Sequence, residues 1–149
     1  MITGKILARN TFFASLDHHF LDEVAALGSY QEIEAGKWLF KQETFAHNLY
    51  LITEGKITLV ITFRDKMIGE LNPHTKGEII GWSALVKPNI YTMGARAEEP
   101  SKLIGFNGKA LMELLENNCD QGFILLRNLT EVIGERLSNR NVQLTSLKV

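Results

Sequence analysis

The 149-residue sequence has a single cysteine, three prolines and almost no net charge. It also has no apolar run near the ~18 residues a membrane-spanning helix needs. Each shortage excludes a class of protein. A lone thiol, Cys119, cannot close an internal disulfide, so a disulfide-stapled secreted scaffold is excluded and a reducing, cytoplasmic setting is expected. The N-terminal Met-Ile-Thr-Gly-Lys-Ile-Leu-Ala-Arg-Asn breaks its apolar stretch too early for a signal peptide. The chain is therefore expected to be soluble, with no membrane partner. Sixteen Lys and Arg oppose 17 Asp and Glu, a formal charge of −1, which argues against wrapping a nucleic-acid backbone but not against binding one small anion. The 45% hydrophobic and 22% charged content is that of a globular protein. A chain of this length buries roughly 68–70% of its unfolded surface, enough for one domain spanning 1–149.

Catalytic signatures are equally scarce. His18, His19, His47 and His74 form no His-x-His or His-x-x-x-His pair, so a metal site of the cupin type lacks its ligands. Gly105-Phe-Asn-Gly108-Lys109-Ala110 lacks the spacing and hydroxyl of a phosphate loop and is expected to turn into a helix. Cys119 has no evident base beside it, and no nucleophile–base or paired-carboxylate constellation stands out. No enzyme activity, metal or cofactor is expected.

What is present is a change of rhythm. Ser15 or Asp17 can cap a helix over 15–28, where Leu16, Phe20, Val24 and Leu27 recur at helical spacing before Gly28. From about 29 to 107 short alternating runs follow, punctuated by glycine; nine of the 12 glycines fall between Gly28 and Gly108. Strands are expected at 30–34, 37–41, 48–53, 56–63, 66–71, 91–98 and 101–106. The clearest, 56–63, puts Ile57, Leu59, Ile61 and Phe63 on one face and Lys56, Thr58 and Thr62 on the other. Such spacing predicts a mainly β fold: an antiparallel β-roll or jelly roll (a double-stranded β-helix) with a short N-terminal helix and C-terminal helices over about 108–145.

The last helix, capped by Asp120, carries Phe123, Leu126, Thr130, Ile133, Leu137, Arg140, Leu144 and Leu147 at alternating spacings of 3 and 4, a heptad seam. Leu125, Leu129 and Val132 form a second stripe. Two stripes ask for two partners, the β-domain for one and a second copy of the helix for the other; packing of both on the chain's own core is the alternative.

The segment with binding potential is Gly77-Glu-Ile-Ile-Gly-Trp-Ser-Ala-Leu85. Glycines at 77 and 81 let backbone N–H groups approach a ligand, and a helical turn starting at Trp82 or Ser83 would form an anion-binding concavity. Glu78 suits a sugar hydroxyl, although on spacing alone a plain loop with an exposed carboxylate is the simpler reading.

The wider pattern resembles the cyclic-nucleotide-binding domain family, the sensor domain of catabolite-activator-type regulators and of cyclic-nucleotide-dependent kinases. The resemblance runs from about 8 to 145, through Phe12-Phe13-Ala-Ser15-Leu16, Ile33-Glu-Ala-Gly36-Lys-Trp-Leu39-Phe40-Lys-Gln42-Glu43, Leu49-Tyr50-Leu51-Ile52-Thr-Glu-Gly55-Lys-Ile57 and Gly77-Glu78. It implies a β-roll whose C-terminal helix dimerises, a non-enzymatic sensor function, and a site at Gly77, Glu78, Ile79, Ile80, Tyr91 and Thr92. In that site Glu78 accepts from a ribose 2′-hydroxyl and the backbone after it contacts the cyclic phosphate.

The family's phosphate-pairing arginine falls here at Ile90 or Tyr91, which weakens the expectation of ordinary cyclic AMP binding, while a cyclic nucleotide such as cyclic AMP remains the candidate ligand and no ligand the alternative. Arg96 and Arg140 are the candidates to replace that charge, with the alternative that Arg140 snorkels or meets Glu135. The family's regulators carry a helix-turn-helix domain after the long helix, and the residues to 149 are too few for one. Two other readings are a degenerate domain that serves for dimerisation or protein docking, and an enzyme on a cupin-like roll.

Overall fold

The computed structural model describes residues 1–70 and 72–146, apart from the side chains at 68 and 143–146. Helices α1 (Gly4–Ala8) and α2 (His18–Ala26) precede eight strands: β1 (Gly28–Ile33), β2 (Trp38–Phe40), β3 (Asn48–Glu54), β4 (Ile57–Phe63), β5 (Lys66–Glu70), β6 (Ile79–Ile80), β7 (Gly94–Ala97) and β8 (Ser101–Asn107). A 3₁₀ turn, Trp82–Ala84, lies between β6 and β7, and α3 (Gly108–Asn117) and α4 (Cys119–Ser146) complete the fold. Among the described residues the strands form two antiparallel sheets, ordered β1-β8-β3-β6 and β2-β7-β4-β5. This is the β-roll with flanking helices that the sequence predicts.

Of the two candidate caps for α2, Asp17 acts: its carboxylate accepts from the Phe20 N–H at 2.8 Å, so the helix starts at His18 rather than at 15. Asn107 likewise caps α3 by accepting from Ala110 N–H at 2.9 Å, which makes Gly105–Ala110 a strand-to-helix turn. All seven expected strands are present, with ends moved by at most three residues. Two elements are additional. α1 has five residues, too few to show a periodicity, and β6 has two.

One face assignment is corrected. In β4, Thr58 and Val60 are as buried as Ile57 and Leu59, whereas Phe63 is exposed. The strand lies inside the roll at its start and leaves it toward the β4–β5 hairpin, so its two faces do not keep one environment.

Alternation along β3 separates two apolar clusters. Tyr50 and Ile52 point between the sheets, where they meet Ile57, Leu59, Ile80, Met93 and Leu103. Leu49 and Leu51 point to the opposite face, where Ile104 and Phe106 join Leu7, Phe13, Phe20, Leu21, Leu111 and Leu115 from the helices. Helix α4 adds Leu125 and Leu129, both buried, to the second cluster, and Val132 packs against it. The second stripe of α4 therefore faces its own chain. The seam stripe differs: Phe123 is 66% exposed, Leu137 58% and Leu126 38%, while Ile133 is partly covered. The Leu144 side chain and all of Leu147 lie outside the described residues.

This division gives a stability prediction. Leu125→Ala should cost about 2–5 kcal/mol in urea unfolding, the range for emptying a buried leucine site. Phe63→Ala, on an exposed ring, should cost under about 1 kcal/mol.

Candidate functional site

The candidate segment is held by β3. Gly77 N–H donates to Ile52 O at 2.8 Å, Ile52 N–H donates to Glu78 O at 3.0 Å, and Asn10 Nδ2 donates to Gly77 O at 2.7 Å. Ile79 and Ile80 then form β6, paired with Leu51 and Tyr50, and their side chains enter the two apolar clusters. Gly81 follows at φ +81°, where a Cβ would stand 3.0 Å from Asn48 O, so both conformation and space favour glycine at the start of the 3₁₀ turn.

Glu78 faces its own loop. One carboxylate oxygen accepts from Thr75 N–H at 2.6 Å and the other meets His74 Nδ1 at 3.0 Å. Burial by itself would raise its pKa; the Thr75 N–H and then His74 outweigh that and hold the carboxyl below its ordinary value. His74 is shifted down by burial first and then by the Arg136 charge, with Glu78 opposing. The neutral imidazole thus donates its Nδ1–H to the carboxylate. Glu78 closes the 74–78 turn, and its side chain, 41% exposed, lines a cleft against α4.

Between the roll and α4 lies a cavity of about 30 Å³, lined by Phe40, Leu59, Gly81, Trp82, Ser83, Tyr91, Thr92, Met93, Arg136 and Arg140. Of the two positions matching the family arginine, Ile90 pairs across to Phe45 and does not line the cavity, whereas Tyr91 does. The Tyr91 ring stacks on Phe40 at 3.7 Å between centroids, and its hydroxyl donates to Asn48 O at 2.7 Å. It is only 4% exposed, and burial pushes its hydroxyl pKa up, so it remains neutral. An aromatic ring therefore fills the position where a cation is expected.

The two proposed replacement charges separate. Arg96 pairs with Glu70 at 2.5 Å and lies over the Trp38 ring, away from the cavity. Arg140 lines the cavity, with Nη2 at 3.3 Å from Met93 Sδ, rather than snorkelling or meeting Glu135. Sequence reading missed its companion, Arg136. Arg136 reaches in one helical turn earlier, donates from Nη2 to Ile79 O and lies 4.9 Å over the Trp82 ring. Burial brings its pKa down to about 10, with the Glu78 charge opposing and the neighbouring Arg140 adding to the shift. The signal was the i,i+4 spacing of the two arginines in continuation of the Leu125–Leu129–Val132 stripe.

Among the described residues no group of three or more His, Cys, Asp or Glu is placed to hold a metal, and no helix is long and apolar enough to cross a membrane. Cys119 is exposed.

Residues 30–118 match the cyclic nucleotide-binding domain. A solved protein of Geobacter metallireducens, named for cyclic-nucleotide binding, is 33% identical over 92% of this chain and 99% of its own, with a TM-score of 0.83. The Catabolite Activator Protein of Thermus thermophilus is 22% identical with a TM-score of 0.73; the match covers 92% of this chain but 62% of that regulator. The sensor domain of the transcriptional regulator DNR from Pseudomonas aeruginosa is 21% identical over 90% of each chain, with a TM-score of 0.73. The likeness to these last two is one of fold. A search of curated protein sequences finds no significant match. The chain belongs to the cyclic nucleotide-binding domain family.

The His74–Glu78 turn predicts a pH dependence. His74 has its pKa lowered from an ordinary 6.5, so the unfolded chain binds a proton that the folded one refuses. Stability should therefore fall as pH drops below about 6.5. A second loss, from Glu78, should begin below about 4.5, because its folded value is also depressed. Thermal melts between pH 8 and 4 should show both, and His74→Gln should flatten the first decline and shrink the second, because His74 is one of the contacts that hold Glu78 down.

Proposed function

We propose that this domain is a ligand-responsive regulatory module in which occupancy of the cavity under α4 biases the placement of α4, and that two copies pair through the exposed seam of that helix. One observation carries this reading: a single rigid element both closes the cavity, through Arg136 and Arg140, and leaves Phe123, Leu126 and Leu137 uncovered on its other side. A ligand with different affinities for two helix placements shifts their populations by that difference. The ligand subsite proposed comprises the backbone around Gly77–Ile80 together with Tyr91, Thr92 and Arg140.

A cyclic nucleotide held in the family's manner needs Glu78 free for a ribose hydroxyl and a cation at the phosphate. Here Glu78 is bonded to Thr75 and His74, and Tyr91 stacks on Phe40 in the cation's position. An unpaired buried phosphate charge costs about 3–5 kcal/mol, equivalent to at least a 10²–10³-fold loss of affinity. The same Tyr91–Phe40 stack favours a second reading, a domain that docks or dimerises without a nucleotide.

In calorimetry, cyclic AMP and cyclic GMP should fail to saturate the protein below roughly 100 μM. Saturation at micromolar nucleotide, lost in Glu78→Ala, would restore cassette-type binding. For the pairing, light scattering at micromolar protein should give twice the 16.8 kDa chain mass, reduced to one chain by Leu137→Glu. A wild-type particle of single-chain mass would refute the seam.

A further inference from the structure

Arg136 and Arg140 present a charge problem that the fold leaves unsolved. Arg136 Nη1 and Arg140 Nε are both inaccessible to solvent and without a hydrogen-bond partner among the described residues. Neither guanidinium has a carboxylate within 4.0 Å there; the ion pairs are His74–Glu78, Arg96–Glu70 and Lys102–Glu54. Glu78 and Glu135 act on Arg136 only at longer range, and Glu78 is already committed to Thr75 and His74. The partners the two cations do have are weak or neutral: a carbonyl, a thioether and an indole face. Holding like charges side by side, with the nearest carboxylates acting only at longer range, is a costly arrangement for a protein. A leucine or glutamine at either site would avoid that cost.

Both side chains line one cavity, in company with the two hydroxyl residues Ser83 and Thr92 and the indole of Trp82. This compartment is small, about 30 Å³, whereas a cleft of about 500 Å³ that also has Arg136 in its lining is walled by Gly77, Glu78 and Ile79 and by other residues of α4. Guanidinium forks match oxyanions bidentately, and two of them balance two negative charges. A cyclic nucleotide offers a single charge on a diester phosphate. We infer that Arg136 and Arg140 form a site for a small dianionic oxyanion of the phosphate class, bound beneath α4 beside Ser83, Thr92 and Trp82. The inference rests on the reading of this cavity as the ligand site and names the chemistry it takes. Because both arginines belong to α4 and the rest of the lining belongs to the roll, the anion would tie the helix to the roll. That is the differential contact which the proposed response requires.

The test uses the full chain in phosphate-free buffer, with KCl holding ionic strength constant. Inorganic phosphate, sulfate and cyclic AMP are titrated in separate arms by calorimetry and by tryptophan fluorescence, Trp82 being the indole beneath Arg136. Phosphate should bind saturably at one site per chain and alter the fluorescence. Arg140→Gln should weaken it about tenfold or more, as should Arg136→Gln, while Lys5→Gln on α1 should leave it unchanged. Circular dichroism melts establish that each variant is folded; should Arg136→Gln fail to fold, Arg140→Gln decides alone. Phosphate heats equal to those of KCl, or an affinity unchanged in Arg140→Gln, overturn the inference. If cyclic AMP binds under α4 while phosphate and sulfate do not, the oxyanion site fails and the ligand-responsive reading stands. If none of the three binds, both fail.

Discussion

The burial of Leu125 and Leu129 against the helical cluster is the constraint on which the rest of the site depends. These two side chains set the rotation of α4 about its own axis and join it to the apolar cluster that also holds residues of α1, α2, α3 and the first sheet. An α-helix has 3.6 residues per turn, so fixing 125 and 129 fixes the direction of every later residue. The inward stripe continues through Val132 to Arg136 and Arg140, and there the surface beneath the helix changes from apolar cluster to cavity. The outward stripe of Phe123, Leu126 and Leu137 is displayed for the same reason. The helix thus changes chemistry along one face without changing its orientation.

Two residues of the expected site have partners within the fold. Tyr91 spends its hydroxyl on Asn48 and its ring on Phe40. Glu78 closes a turn with His74 and Thr75. Positive charge is present, but it comes from the helix rather than from the segment after the 3₁₀ turn. Under the proposed reading, a shared family fold has kept its architecture, a roll covered by a helix, while moving the cationic contribution onto the element that responds. A charge on the moving element couples ligand to position directly, because the contact exists only when the helix is docked.

Much of this was legible before any coordinates. The longer helices and seven strands appear where the spacing of apolar residues puts them, and Asp17 caps as its residue type predicts, whereas Asp120, expected to cap α4, lies inside its first turn. Short elements were not legible. α1 and β6 are defined by what they touch, Asp22 through Gly4 N–H for one and β3 for the other, and neither has enough residues for a period. Phe63 was placed on an inner face because alternation assumes a strand stays at one depth, and β4 does not. Arg136 escaped because the seam of α4 drew the eye to 140, although 136 shares its face one turn before.

The sequence by itself determined the family, the rolled β-architecture, the helical ends and the absence of an arginine at 90 and 91. These follow from local patterns: period, caps, glycine positions and the order of apolar segments. Only the tertiary structure decided which charges meet. Arg96 and Arg140 are equivalent as letters, yet one pairs with Glu70 of the same sheet and the other stands partly buried beside Arg136, with its Nε buried and unsatisfied among the described residues. Pairing depends on through-space distance, and residues as far apart in the chain as Ile79, Trp82 and Arg136 become neighbours only when α4 packs across the roll.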